Sequence, residues 1–225
     1  MRPMYVPQHF AMTDDRVRAL LDHPTADVIT VHDSGLQASF LPLVYDAAPG
    51  PYGRLIGHLQ RTNPQAHGPI HGEGLVIVHG TDHYASPAGL PSTVANGGGV
   101  PTWNYVTAHV RGEVVLHDDT DWCRQAVTRL SEAHEPDGAW RVGNPPADYL
   151  ERLLPAVVGI EVVISGWEGK AKMAQNRTSA DLEALVTRLR TAGDDEGADF
   201  LEEVSLPAAR AREALVEGVR RRRLG

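Results

Sequence analysis

The chain of 225 residues is poor in several residue types, and each shortage excludes a class of protein. A single cysteine, Cys123, excludes an internal disulfide and a cysteine-based zinc ribbon, and it favours a reducing compartment. No apolar run approaches the roughly 20 residues of a membrane-spanning helix, and the N-terminal "MRPMYVPQHF" lacks the apolar segment of a secretory signal. We therefore expect a cytoplasmic protein that does not interact with membranes.

Basic residues are in the minority as well. There are 21 lysines and arginines against 29 aspartates and glutamates, which gives a formal net charge of −8 at pH 7. Nucleic-acid-binding surfaces usually carry an excess of positive charge, so the balance argues against DNA or RNA as a partner. The one basic block, residues 220–223, suits the C-terminal end of a helix and is interpreted as a solvated tail.

Hydrophobic periodicity predicts five or six strands with meandering connections, which together are typical of a small barrel. The strongest signal is a hairpin of strands 26–31 and 36–45 around the turn residues Asp33, Ser34 and Gly35. A second hairpin is predicted in "NYVTAHVRGEVVLHDD", turning at Arg111 and Gly112. The remaining strands are predicted in "GRLIGHL", "EGLVIVHG" and "GIEVVI", the last of the chain.

Helices are predicted around and after these strands. "TDDRVRALLDHP" begins with Thr13 as N-cap and ends at Pro24, and "DTDWCRQAVTRLSEAH" and "PPADYLERLLPAVV" follow the second hairpin. Thr178 and Asp181 suggest a capping box for a helix that ends at Gly193, and a last helix is expected from about residue 208. We predict a mainly β fold with helices (α+β), with a barrel domain over 1–177 and a helical extension packed on it over 178–225.

Histidines concentrate in the middle of the chain: His58, His67, His71, His79, His83 and His109. The spacings 67/71 and 79/83 resemble metal-ligand pairs, but "GPI" and "GTD" would break the helix that aligns such a pair. His58 and His79 differ because each lies within or at the end of an apolar strand. Each is either an ordinary packed imidazole or an axial ligand, since a rigid strand imidazole is what a haem iron requires.

Polar residues next to His58 add candidate contacts. In "GHLQRTNP", the alternation of a continuing strand would place Arg61 and Asn63 on the face opposite His58. Arg61 is either a bidentate ligand of a phosphate or carboxylate or an ordinary surface arginine. "NGGGVPTWNY" lacks the strand-to-helix context of a phosphate-binding loop, and it is interpreted as a flexible cover that leads through Trp103 into a strand.

Five segments in the same order carry a family resemblance: "MYVPQHF", "GHLQRTNP", "VPTWNY", "PADYLERLLPAVVGIEV" and "EGKAKMAQNR". Together they resemble the PaiB family, whose members are described as FMN-binding negative transcriptional regulators with a split-barrel flavin-binding fold. The resemblance implies a homodimer with the cofactor site at the subunit interface. The polar wall of that site would consist of His58, Arg61, Asn63, Lys170, Lys172, Gln175, Asn176 and Arg177.

The chain departs from the family pattern where bulk is expected. Ala171 replaces an aromatic residue, Gln65 and Ala66 replace a bulky apolar residue and tryptophan, and residues 88–90 replace a tryptophan and tyrosine. Ser39 and Phe40 stand in place of an asparagine and a histidine. These changes predict a cavity that is larger and more apolar than a flavin site.

Such a cavity resembles that of one branch of the family, the haem-dependent piperazate synthases. These enzymes cyclise N5-hydroxyornithine to piperazic acid, forming a nitrogen–nitrogen bond with loss of water. The resemblance implies haem b bound by His58, with His79 as second choice, and anion contacts from Arg61, Lys170, Lys172 and Arg177. His109 or Tyr105 would serve as general base. The alternatives are an FMN-binding regulator or flavin oxidoreductase, and a haem-binding or haem-degrading split-barrel protein without biosynthetic chemistry.

Overall fold

The computed structural model describes residues 4–22, 25–48, 50–135 and 137–224. The chain divides into two compact units. Unit 1 comprises Met1–Met4, Thr13–His79 and Thr107–Gly169, and unit 2 comprises Tyr5–Met12, Gly80–Val106 and Lys170–Gly225. The predicted boundary between 177 and 178 stays a prediction. Within the described residues, no helix combines the length and the apolar character that a membrane crossing requires.

Seven strands form one sheet in the order β2-β1-β5-β6-β7-β4-β3. The strands are β1 Thr25–His32, β2 Gly35–Pro42, β3 Val44–Asp46, β4 Arg54–Gln60, β5 Gly74–Ala85, β6 Thr102–His117 and β7 Val157–Lys172. The pairs β1–β2, β1–β5, β3–β4 and β4–β7 are antiparallel. The first hairpin is confirmed, except that its second strand is interrupted at Leu43.

The described part of the chain also forms seven α-helices: α1 Asp14–Leu20, α2 Pro91–Asn96, α3 Thr120–His134, α4 Ala147–Leu153, α5 Ser179–Ala192, α6 Asp195–Phe200 and α7 Leu206–Leu224. The Thr13 side chain accepts from the Arg16 backbone N–H, so the predicted cap of α1 is confirmed. Its predicted end at Pro24 lies outside the described residues. The α+β fold class is confirmed.

The predicted hairpin at Arg111 and Gly112 is wrong, because β6 continues through both residues. Gly112 is required by a close approach: a Cβ there would collide with the backbone carbonyl of Val163 on β7. The glycine therefore lets the backbones of β6 and β7 approach closely, which is a common role of glycine within a strand, besides its role in turns. β7 is also longer than predicted and extends through "SGWEGKAK" to Lys172.

In unit 1, β4 and β7 bury one face in the core. Leu55 and Leu59 alternate along β4 and are 1% exposed, and Ile160 and Val162 on β7 are fully buried. Residues between them face the other way, as the two-residue period of a strand requires. His58 lies on that second face, directly opposite Gly159 in the β4–β7 register.

In unit 2, helix α5 fixes the loop that follows β7. The Thr178 side chain accepts from the Asp181 backbone N–H, and Gly193 ends the helix in the left-handed region at φ 80°. Only half of the predicted capping box forms, because the Asp181 carboxylate accepts from the backbone and the hydroxyl of Ser92 instead. A π-helical turn, Leu201–Ser205, joins α6 directly to α7.

The loop 173–178 is held from α7 and from this π-helical turn. The Ser205 hydroxyl donates to the Met173 carbonyl at 2.6 Å, and Arg212 donates to the carbonyls of Gln175 and Arg177 at 2.7 and 2.5 Å. Within the loop, Ala174 has φ 59°, the one positive φ among the described non-glycine residues. This conformation costs free energy for a residue with a Cβ, so the surrounding contacts must impose it.

Candidate functional site

His58 is half-buried near the middle of β4. Its Nδ1 atom is buried and has no hydrogen-bond partner in the structure. Burial lowers the pKa of the imidazole below its ordinary value, because desolvation penalises the charged form. His58 is therefore a neutral imidazole at pH 7, held on a rigid strand, which is the state in which histidine ligates metals.

Helix α3 lies over the face that carries His58. The Trp122 ring covers Gly159, where a Cβ would lie 2.1 Å from the ring, and it stacks on His117 with ring centroids 3.9 Å apart. Since residues directly opposite each other on paired strands share a face, His58 and the Trp122 ring lie on the same side of the sheet. The absence of a side chain at residue 159 makes room for the indole.

An apolar cavity of about 480 Å³ opens on the same face of unit 1, next to the end of β4. Gln60 and Val157, a directly opposed pair of β4 and β7, form part of its wall. The rest is almost entirely apolar and comes from α3, α4, the loop between them and the short turn after α4, with Trp140 and Tyr149 as its largest side chains. Gln60 follows His58 by two residues, so both project from one face of the strand.

Arg61 and Asn63 lie in the turn after β4, which ends at Gln60, so the predicted alternation across a strand is wrong. The Arg61 guanidinium donates to the carbonyls of Pro155 and Val157 and to Asp118, at 2.6, 3.1 and 2.5 Å. The Asn63 side chain accepts from the Gln65 backbone N–H and donates to Ser39. Both side chains form hydrogen bonds within the protein that hold the turn, and in this structure neither is oriented to bind an external anion.

The other predicted histidines are placed differently from His58. His79 is exposed, and its Nε2 lies 3.0 Å from Asp27, while His71 is exposed and lies 2.6 Å from Asp33. His109 is half-buried on β6. Among the residues that the structure describes, no group of three histidine, cysteine or acidic side chains could hold a bare metal ion.

Gln65, one of the departures from the family pattern, does not open a cavity. Its side chain is 1% exposed and donates to the Val28 carbonyl and to the Thr30 hydroxyl at 3.0 and 2.8 Å. It fills the interior of unit 1 as a hydrogen-bonded core residue. The predicted gain in cavity size does not come from this position.

In unit 2, two lysines lie close to the ring of Tyr105. The ammonium groups of Lys170 and Lys172 are 5.5 and 5.9 Å from the ring centroid, within the range of cation–π attraction. Lys172 also donates to the Thr102 hydroxyl and the Trp103 carbonyl, at 2.5 and 3.0 Å. The Trp103 ring is exposed, and its indole N–H donates to Asp82. Two positive charges are thus anchored at the adjoining ends of β6 and β7.

A cavity of about 440 Å³ in unit 2 collects several of the predicted residues. Lys172, Asn176 and Arg177 line it together with polar side chains that the sequence analysis missed, among them Ser92, Asn104 and Asp181. Gln175 does not line it, because its side chain is buried in the loop and bonds to Met173 N and Ala171 O. Ala174, with its strained backbone, forms part of the wall.

The cavity is positively charged overall. Arg177 is mostly buried, and its guanidinium lies 3.8 Å from the Asp181 carboxylate, which is already satisfied by Ser92. Lys172 and Arg177 therefore outnumber the single carboxylate. Such a wall can bind a small anionic group by charge and hydrogen bonds.

The fold is that of an α+β protein of the split-barrel class, and a cationic cavity lies in its unit 2. A sequence profile of the family described as "Putative FMN-binding domain" matches residues 4–166, and the chain belongs to this family. Relatives include an uncharacterised protein of Emericella nidulans, 28% identical over 78% of this chain and 85% of that protein. The Protease synthase and sporulation protein PAI 2 of Bacillus subtilis is 23% identical over 83% and 89% of the two chains.

Two solved structures share the fold. The flavocytochrome Anf3 of Azotobacter vinelandii superposes with a TM-score of 0.55 at 15% identity, covering 74% of this chain and 72% of that chain. The FAD and heme binding protein of Mycobacterium smegmatis gives 0.50 at 16% identity, covering 71% of each chain. The split-barrel fold and the flavin-binding family are thereby confirmed, and the family supports the FMN alternative of the cofactor prediction. Haem b and the piperazate synthase branch stay predictions.

Proposed function

We propose that this protein is a haem-dependent enzyme of the piperazate synthase type, which cyclises N5-hydroxyornithine to piperazic acid. The observation that carries the proposal is His58: a neutral imidazole on a rigid strand, with a buried Nδ1 that lacks a partner. The relatedness in fold to a flavocytochrome and to a FAD and heme binding protein supports it, because this architecture accepts both cofactors.

The face of β4 that carries His58 offers two of the features that a haem needs, an imidazole and an apolar surface. The apolar cavity of about 480 Å³ lies further along this face, at Gln60, and His58 is not part of its wall. Burial keeps the His58 ring free of a proton that would compete with iron. When bound, the haem iron would supply a Lewis acid that weakens the N–O bond of the hydroxylamine.

Side chains of this protein would carry out the other parts of the reaction. The α-amine of the substrate attacks the hydroxylated nitrogen, so that an N–N bond forms, the N–O bond breaks and water leaves with a proton from the amine. His109, which lies in the same unit as His58, would accept the amine proton, and orientation of the two nitrogens supplies much of the rate.

FMN binding is the second candidate, favoured by the family match over residues 4–166. The cationic cavity of unit 2 could equally receive the phosphate of FMN, since Lys172 and Arg177 are suitable phosphate ligands. In that case the protein would be a flavin oxidoreductase or a regulator of the PaiB kind.

Absorption spectra separate the two candidates. The purified protein, titrated with haem, is expected to give a sharp Soret band that shifts on reduction, whereas FMN would give a two-banded flavin spectrum without a Soret response. His58→Ala should abolish or shift the Soret band of the bound haem. His79→Ala tests the second-choice ligand and should leave it unchanged, and the exposed His71→Ala serves as the matched control.

The activity is tested by incubating the haem-loaded protein with N5-hydroxyornithine and detecting the dehydrated ring by mass spectrometry. His58→Ala is expected to lose turnover. A His58→Ala variant that keeps both the haem spectrum and turnover contradicts the ligand assignment. A protein that binds FMN and not haem contradicts the enzyme proposal as a whole.

A further inference from the structure

Two adjoining cavities open in unit 1, one apolar and one charged. The apolar cavity of about 480 Å³ at the end of β4 and a second cavity of about 860 Å³ have four lining residues in common: Ser131, Trp140, Val142 and Leu150. Because the two cavities share part of their walls, a single small molecule can occupy parts of both. Each volume falls within the range of roughly 300–1,000 Å³ that is usual for pockets that bind small molecules.

The apolar cavity suits an apolar group and no charge. Among the residues that the structure describes, no charged side chain belongs to its wall, and the hydroxyl of Ser131 already donates to a backbone carbonyl. Trp140, Tyr149 and Leu153 line it, yet they are 44%, 48% and 49% exposed. Single exposed hydrophobic residues are common on protein surfaces, but three large ones around one concavity indicate a binding site.

The second cavity carries an excess of negative charge. Its wall includes three carboxylates and two guanidinium groups, which belong to Glu132, Glu135, Asp137, Arg124 and Arg141. Arg124 is already paired with Glu151, at a distance of 2.6 Å. Within the described part of the chain, none of the three carboxylates has an ion-pair partner. The second cavity therefore holds three unpaired carboxylates against one remaining cation, Arg141.

A ligand that suits both cavities has an apolar body and a positively charged head. A carboxylate head would be repelled by the acidic side chains of the second cavity, and a neutral molecule would gain nothing from their charge. Trp140 belongs to both walls, and indole is the aromatic ring that attracts cations most strongly. An organic amine, protonated at pH 7, combines the two required properties.

We propose that the two cavities form a binding site for a small hydrophobic amine, with its apolar body in the cavity at Gln60 and its ammonium group beside Glu132 and Glu135. The site goes beyond the proposed function and does not rest on it, because His58 belongs to neither wall. Glu132 is exposed and Glu135 is half-buried, so added salt should screen their attraction for the ammonium group.

The test is isothermal titration calorimetry of the full-length protein with three probes that share one apolar body: 4-phenylbutylamine, 4-phenylbutanol and 4-phenylbutyrate. At low salt, the amine is expected to bind about threefold to tenfold more tightly than the alcohol, and the carboxylate should bind most weakly. The preference for the amine should shrink in about 1 M salt, where the Debye length is only about 3 Å. Absence of amine binding, or equal affinity for the amine and the carboxylate, would overturn the proposal.

A double variant tests the acidic part of the site. Glu132→Gln/Glu135→Gln should reduce the affinity for the amine to nearly that for the alcohol, while the affinity for the alcohol stays the same. Glu196→Gln/Glu203→Gln is the matched control, because it removes the same charge at exposed positions of unit 2. An equal loss of amine affinity in both double variants would mean that the amine senses only the net charge, and would refute the site.

Two single variants test the apolar part. Leu153→Ala removes a half-exposed part of the wall and should weaken all three probes by a similar factor of about three to ten. Leu215→Ala, on α7 and 65% exposed, is its control and should change none of them. Unchanged binding in Leu153→Ala would refute the location of the apolar body.

His58→Ala separates this site from the haem proposal. The variant should bind 4-phenylbutylamine as the wild-type protein does, whatever its effect on the haem spectrum. Loss of amine binding in His58→Ala would place the amine at the histidine and overturn the assignment to the two cavities. Thermal melting establishes that each variant is folded.

Discussion

Gly159→Ala should destabilise the protein through one side chain. The added Cβ would lie 2.1 and 2.2 Å from two carbons of the Trp122 ring and 3.2 Å from the His117 Cβ. Cβ atoms do not approach closer than 3.0 Å, so the ring must recede by at least 3.0 − 2.1 = 0.9 Å. The indole is stacked on His117, whose Nε2 lies 2.8 Å from Glu161. Displacement of the indole would therefore also disturb the packing of His117 and its contact with Glu161.

Overpacking of this kind typically costs about 1–3 kcal/mol. In a chain of this length, each kcal/mol lowers the melting temperature by roughly 2–4 °C. Gly166→Ala is the matched control, because it lies on the same strand and its Cβ would meet nothing within 4 Å. Urea unfolding and thermal melting of the two variants give the comparison.

The double variant Gly159→Ala/Trp122→Leu identifies the cause. Trp122→Leu removes the clashing ring, so the penalty of the added methyl group should largely disappear in its background, a coupling that a double-mutant cycle measures. A Gly159→Ala protein as stable as Gly166→Ala would refute the reasoning, as would equal penalties in the two backgrounds. Because His58 lies opposite Gly159, we also expect weaker haem binding in Gly159→Ala alone.

Two further predictions concern pH and backbone strain. Burial lowers the pKa values of His58 and His83 in the folded protein. As the pH falls below about 6.5, these histidines therefore take up protons in the unfolded chain before they do so in the folded one. The free energy of unfolding should then drop by up to about 1.4 kcal/mol per pH unit for each of the two histidines. Urea unfolding between pH 7.5 and 5.5 measures this slope, and a His58→Gln/His83→Gln variant with the same slope contradicts the assignment. Ala174→Gly should stabilise the protein by up to about 1 kcal/mol, since glycine accepts φ 59° without strain. Ala184→Gly, inside α5, should instead destabilise by about 1 kcal/mol, and loss of stability in both variants would show that Ala174 is not strained.

Local signals in the sequence predicted the ends of elements well. Thr13 and Thr178 cap their helices, and Gly193 ends α5 in the left-handed region, because each of these effects depends on neighbours within a few residues. Long-range effects were missed. Gly112 looks like a turn residue, and only the approach of Val163 from another strand explains it.

The length of β7 could have been predicted. Trp167, Gly169 and Ala171 are buried and alternate with less buried residues, which is a two-residue period that "GWEGKAK" already displays. The prediction nevertheless ended the strand at "GIEVVI". The two lysines of this segment, Lys170 and Lys172, lie at the end of the strand, so the strand backbone fixes the positions of their Cα atoms.

The candidate site was predictable only in part. The resemblance pointed to Lys172, Asn176 and Arg177, which line one cavity. It did not point to Ser92, which lines the same cavity and donates to Asp181, 89 positions later in the chain. No pattern of spacing reveals a contact between residues so far apart.

The π-helical turn Leu201–Ser205 sets the rotational phase of everything that follows it. A π-turn holds one residue more than the α-helix it interrupts and absorbs that residue locally. Deleting one residue of the regular helix between the turn and Arg212 would instead rotate Arg212 by about 100° around the axis of α7. Arg212 would then leave the carbonyls of Gln175 and Arg177, and the loop that carries the cavity's cation would lose its fastening. In relatives of this protein, we therefore expect one-residue length changes within the turn or after α7, but not in the regular helix between the turn and Arg212.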